Sequence, residues 1–150
     1  MNSEHLSDLE KIRDLKMAYS HFLDICEIDR LADLFTEDAT CDYGQDLGKW
    51  VGRQSIYERF TELFQDRRPL EMMHVITNPR VKLDGSDRAT GQWFLTLFNT
   101  MDPDKNPVMI CGLYDDTYVK KDGRWLIDQS RVHFAWPKRE YEDITLHDYV

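Results

Sequence analysis

The hydrophobic period of this chain changes once, near residue 71, and that change sets the fold class. Before it, apolar residues recur at three- and four-residue steps. Ile12, Leu15, Tyr19, Phe22, Leu23 and Cys26 form the stripe of one helix. Ser7 and Glu10 have capping-box spacing and predict its start. Ile28, Leu31, Leu34 and Phe35 mark a short second helix, broken at Thr36-Glu37-Asp38. Residues 39–43 read as a short strand, with Gly44, Gly48 and Gly52 as turns around Trp50 and Val51. Residues 53–65 predict a third helix, with Ile56, Phe60, Leu63 and Phe64 on one side and Arg67-Arg68-Pro69 ending it.

From residue 71 the period is two. Strands are expected over 72–83, 88–101, 108–120 and 124–136. Asp84-Gly85 and Asp122-Gly123 are hairpin-turn signals, and Pro79 marks an edge strand or a bulge. Residues 137–150 read as a polar, loosely packed tail. With no repeat, low-complexity stretch or linker, residues 1–150 read as a single domain. Helices first and hairpin-linked strands after predict an α+β fold, with helices packed on the concave face of a curved antiparallel sheet. Such a curl leaves an internal pocket suited to a small ligand.

Composition works by exclusion. A chain that is 41% hydrophobic and 12% aromatic is neither disordered nor collagen-like. A net charge of -9 gives no electrostatic footprint for nucleic acid or an anionic membrane. Residues 1–48 carry most of that charge, which reads as a solvated helical face. Cys26, Cys41 and Cys111 lie far apart, against a disulfide framework or zinc site. No apolar run approaches the roughly 18 residues of a membrane span, and the acidic N-terminus is unlike a signal peptide. A cytoplasmic location is the expectation. No GxSxG, Walker, dinucleotide or HExxH motif occurs, and no cluster has metal-ligand spacing. The chemistry expected is therefore free of metal and cofactor.

His74 stands out on the first long strand, sharing a face with Met72 and Ile76. It reads either as a general acid or base inside the pocket, or as a core histidine with one backbone hydrogen bond. On the last strand, simple alternation groups Arg131 and His133 with Trp125, Ile127 and Gln129, opposite Leu126, Val132 and Phe134. That polar face is either solvent-exposed, or part of the pocket with the apolar face against another subunit, and Asp128 and Ser130 on the otherwise apolar face leave the choice open. Tyr19 lies on the helix stripe and points at the sheet, as a structural bond or as a donor to a substrate oxygen. Asp24 lies about 155° from the centre of the stripe, which puts it on the solvent face by periodicity. His5, His21 and His147 read as exposed.

Several strings carry a family resemblance: IRDLKMAYSHFLDICEIDRLADLFTEDAT, GRQSIYERF, MHVITNPRVKLDGSDRATGQWFL and GLYDDTYVKKDGRWLIDQSRV. Over about residues 7–136 the chain resembles the SnoaL-like branch of the nuclear transport factor 2-like superfamily. That cone-shaped α+β fold is shared with ketosteroid isomerase and scytalone dehydratase. Within it the chain is similar to the bile acid 7α-dehydratase group. The resemblance implies that His74 is the base, that Asp24 turns inward to orient it, and that Tyr19 faces the pocket. It also places Leu97 where those enzymes carry an aspartate, and His133 where they carry an arginine, with Arg131 two residues earlier. Tyr43 fills the position of the isomerase base.

The implied activity is a cofactor-independent lyase, a dehydratase acting on a hydrophobic ring compound of steroid or polyketide type. The alternatives are a non-catalytic binding or assembly domain of the same fold, or an isomerase or cyclase with the same base. Arg131 or His133 is the candidate for stabilising negative charge. Trp50, Tyr43, Met72, Ile76, Leu95 and Leu97 are the candidate substrate-binding walls. Phe94 and Phe98, extended by Val132, Phe134 and Trp136, predict a convex apolar patch buried in a homo-oligomer, a dimer or trimer.

Overall fold

The computed structural model describes residues 3–105 and 107–140. The chain runs α1 (Ser3–Asp24), α2 (Ile28–Ala32), β1 (Phe35–Asp42), α3 (Gly44–Leu47), β2 (Lys49–Val51), α4 (Arg53–Phe64), β3 (Met72–Asp84), β4 (Arg88–Asn99), β5 (Val108–Lys121) and β6 (Arg124–Trp136). The strands form one curved, unclosed sheet in the order β2-β1-β6-β5-β4-β3. Every neighbouring pair is antiparallel except β1 with β6, which is parallel, with α3, α4 and four strands between them in the chain. Among the described residues no helix is long and apolar enough to cross a membrane.

Both hairpin signals form turns. Asp122 and Gly123 each have positive φ, 51° and 77°, the geometry that matches the twist of a two-residue hairpin. Pro79 lies where β3 shifts register against β4, beside Asn78 with φ 54°, and β3 is an edge strand. An edge strand tolerates the missing N–H of proline.

Four details differ from the sequence reading. The first helix begins at Ser3, so Ser7 lies inside it rather than at its cap. Thr36-Glu37-Asp38 is strand, because β1 starts at Phe35 and pairs with β6. The acidic first helix is not a wholly solvated face: Asp8 is buried, accepting hydrogen bonds from Trp125 Nε1 at 3.0 Å and Lys120 Nζ at 3.1 Å. Of the tail, residues 137–140 fold back. The Glu140 N–H donates to the Phe134 carbonyl, and the Glu140 carboxylate accepts from the Gln45 N–H. The tail from 141, with His147, lies outside the described residues.

The core lies between α1 and α4 on one side and the inner sheet face on the other. Ile12, Leu15, Tyr19 and Leu23 of α1 meet Trp93, Leu95, Tyr114 and Val132 of the strands. Beneath it runs a polar chain. Trp93 Nε1 donates to Tyr118 Oη at 2.9 Å, and Tyr118 donates to Asp116 Oδ2 at 2.8 Å. Asp116 Oδ2 lies 2.7 Å from Lys16 Nζ, with both side chains fully buried. Gly91 makes room for this chain: a Cβ there would come within 2.9 Å of the Tyr118 ring.

Candidate active site

His74 and Asp24 form a close pair. Nδ1 of His74 lies 2.6 Å from Asp24 Oδ1, and the His74 backbone N–H donates to the same carboxylate at 2.9 Å. A carboxylate accepts only, so Nδ1 carries the proton and Nε2 is left as an acceptor. Both side chains are mostly buried, 9% and 14% exposed. Asp24 therefore points inward, against its helical-wheel position and in line with the family resemblance. The reason is where α1 ends. The helix packs chiefly against the edge strand β3, so at its last turn the flank, not only the stripe, faces protein.

His74 lines a cavity of about 140 Å³ with Met72, Leu95, Leu97, Tyr19, Tyr43, Tyr114, Arg67 and the apolar side chains of α4. Three phenols converge on it. Tyr19 Oη lies 2.8 Å from Tyr43 Oη and 3.4 Å from Tyr114 Oη. Burial raises the pKa of all three, so they are neutral donors at physiological pH. Lys16 Nζ sits 3.5 Å from the centroid of the Tyr114 ring. A second cavity of about 250 Å³ shares Tyr43, Leu47 and Phe134 with the first.

The structure brings Tyr19, Tyr43, Met72, His74, Leu95 and Leu97 to one cavity. It does not bring Arg131 and His133 there. Between Ile127 and Gln129 the β6 register slips against both neighbours, leaving Asp128 as an extra residue. Its carboxylate accepts from Thr36 Oγ1 at 3.2 Å, and the Ile127 N–H donates to the Leu34 carbonyl at 2.8 Å. This bulge moves the side chains up to Phe134 to the opposite face, and a second slip at Ala135 returns Trp136 to the register of Cys111, Thr96 and Val75. Val132 and Phe134 enter the cavity, so they do not extend the convex patch. Arg131 turns outward beside Asp42 at 3.6 Å, and His133 lies 3.9 Å from Asp115. Burial and the Arg131 charge lower the His133 pKa.

Trp50 and Ile76 are buried but do not line the cavity. Trp50 stands one layer behind, packed edge-on against Tyr43 and Phe60 at 5.1 and 5.0 Å between ring centroids. Tyr114 and Arg67 are lining residues that the sequence reading missed. Tyr114 follows from the register, since it pairs with Trp93 on the inner face of β4. Arg67 looked like part of a helix stop, and α4 in fact ends a turn earlier.

Residues 4–131 match the SnoaL-like domain family. Among solved structures, the hexachlorocyclohexane dehydrochlorinase LinA-type3 of Novosphingobium barchaimii superposes with TM-score 0.78 at 17% identity, covering 97% of this chain and 98% of that one. A protein of Novosphingobium aromaticivorans provisionally described as a scytalone dehydratase gives 0.78 at 20%, covering 96% and 94%. Another from the same organism, provisionally described as an aromatic ring hydroxylase, gives 0.76 at 27%, covering 88% and 92%.

Proposed function

The chain belongs to the SnoaL-like family, and on that premise we propose that it is a cofactor-independent lyase, a dehydratase of hydrophobic ring compounds. The observation that carries the reading is the dyad. A non-catalytic binder has no need to hold His74 Nδ1 at 2.6 Å from Asp24 while leaving Nε2 free at an apolar cavity. In the proposed reaction Nε2 takes a proton from a carbon next to a carbonyl. Asp24 keeps the proton on Nδ1 and stabilises the imidazolium that forms, as an orienting carboxylate does. The imidazolium then gives the Nε2 proton to the substrate hydroxyl as its carbon–oxygen bond breaks, so that water leaves, and the phenols of Tyr19, Tyr43 and Tyr114 supply hydrogen bonds to the oxygen on which negative charge develops. This places electrostatic stabilisation on the phenols rather than on Arg131 or His133.

Cavity size bears on the substrate. A cavity of about 150 Å³ holds a benzene ring. The His74 cavity, about 140 Å³, thus suits the reacting ring, and the adjoining cavity suits the rest of a fused-ring steroid or polyketide.

The test is turnover of cyclic β-hydroxy carbonyl compounds, followed by the ultraviolet absorption of the new conjugated double bond. General-base catalysis contributes about 10²–10⁴-fold, so His74→Ala should lose that much in kcat and keep its circular dichroism. Parent-rate turnover by that variant would falsify the mechanism.

A further inference from the structure

Among the described residues Arg67 is the one cationic side chain lining the His74 cavity, and no part of the proposed elimination uses it. We propose that it is a substrate-positioning residue that recognises a carboxylate on the ring substrate. The inference rests on the reading of this cavity as a substrate site and deepens it by naming a substituent.

The guanidinium is held from behind. Arg67 Nε donates to the Leu63 carbonyl at 2.9 Å, its own N–H donates to the Phe64 carbonyl at 3.0 Å, and its guanidinium carbon lies 5.2 Å from the Phe64 ring centroid. With Nε engaged, the two terminal nitrogens form the end of the fork that remains, the geometry that grips a carboxylate through two bonds. Nη1 also touches the Met72 thioether, the side chain two residues along β3 from His74 and on the same face. Two residues along a strand span about 7 Å. A carboxylate on Arg67 thus leaves the attached ring lying along the wall towards His74.

Charge supports the assignment. The cavity walls are otherwise apolar or phenolic apart from the dyad, and among the described residues no carboxylate forms an ion pair with Arg67. Two acids close to this connection, Glu71 and Asp24, are engaged elsewhere, and Asp66 next to Arg67 is exposed. Glu71 is bound by the Arg68 Nε and N–H, both at 2.9 Å, and Asp24 is bound by His74. A half-buried guanidinium facing an apolar space, with Glu71 acting on it only at longer range and no described carboxylate in ion-pair contact, is open to neutralisation by an anionic ligand. The feature differs from the expectation of a cation on the last strand, since the cation reaches the cavity from the connection between α4 and β3 instead.

The experiment is isothermal titration of the whole chain with benzoate and with benzamide, its neutral counterpart. Parent protein should bind benzoate in preference to benzamide. Hydrogen bonds to a charged partner are strong enough that Arg67→Gln should weaken benzoate at least about tenfold while leaving benzamide unchanged. Arg67→Lys, which keeps the charge and loses the fork, should fall between them and guards against misfolding of the first variant. No preference for benzoate in the parent, or an equal loss of both ligands in Arg67→Gln, overturns the proposal. His74→Gln should retain the preference, and losing it there would assign the carboxylate to His74 and overturn the proposal too. Since these readouts need no turnover, failure of the elimination mechanism leaves them intact.

Discussion

Replacing Lys16 by methionine isolates the buried ion pair beneath the phenols. Lys16 and Asp116 are both wholly buried with their charges 2.7 Å apart, so solvent does not screen the interaction. Removing the cation leaves Asp116 Oδ2 with Tyr118 as its hydrogen-bond donor, and Asp116 Oδ1 is already without one. Breaking one side of such a pair costs about 3–5 kcal/mol, because an uncompensated charge stays buried. In a chain of this size each kcal/mol moves the midpoint by about 2–4 °C, so Lys16→Met should lower Tm by about 6–20 °C. The double variant Lys16→Met/Asp116→Asn removes both charges and keeps an acceptor for Tyr118. Replacing both members of a buried pair is often close to neutral, so it should regain most of the loss. Thermal and urea unfolding of the parent, Lys16→Met, Asp116→Asn and the double variant measures the coupling. A single variant within about 1 kcal/mol of the parent refutes the reasoning, and so does a double variant no better than the single one.

Asp8 makes stability fall in acid. The hydrogen bond from Trp125, and then those from Lys120, lower its pKa below the ordinary 3.8 despite the opposing effect of burial. A lowered carboxyl pKa gives stability that is full above 3.8 and lost as pH falls through the folded value. Asp8→Asn should flatten the stability profile below about pH 4, read by urea midpoints across pH, and an unchanged slope would count against the bond. The outer sheet face exposes Met73 at 47%, Val75 at 40%, Phe94 at 55% and Met109 at 44%. A homo-oligomer through this face is the expected state, and Phe94→Lys should dissociate it. Light scattering of the parent near the 17.9 kDa chain mass would sink this expectation.

The sequence showed the hairpins and the inner face of β4 clearly, because a period of two and an Asp-Gly pair are local signals. Leu95 and Leu97 reached the cavity as alternation required. It failed on β6 because a one-residue bulge has no compositional mark. Asp128 and Ser130 stand on an otherwise apolar face by alternation, which leaves the reading open without placing a bulge, until Thr36, far away in sequence, donates to the Asp128 carboxylate. Lys16 and Asp116 were illegible for a related reason. Each reads as a surface charge, and only the tertiary pairing of α1 with β5 makes both internal. Asp24 was read outward by periodicity and inward by family resemblance, and the structure agrees with the second.

That Asp24 can hold His74 follows from the position of β3 at the sheet edge. In a central strand every backbone N–H is claimed by a neighbouring strand, whereas an edge strand presents a row of unclaimed ones. The His74 N–H is taken by Asp24, which uses the same carboxylate for the ring, so main chain and imidazole are fixed together. The helix end is fastened in turn, since the Asp24 carbonyl accepts from the Leu70 N–H at 2.7 Å. One residue thus ties the end of α1, the approach to β3 and the imidazole into a single junction, with Arg67 three residues before Leu70 on the same connection. Moving the histidine to β5 or β6 would forfeit the backbone bond, because both strands are paired on each side. A dyad of this kind therefore belongs at the sheet edge, where α1 crosses it. The covering protein there replaces the pairing strand, and the exposed edge becomes the holder of the proposed base.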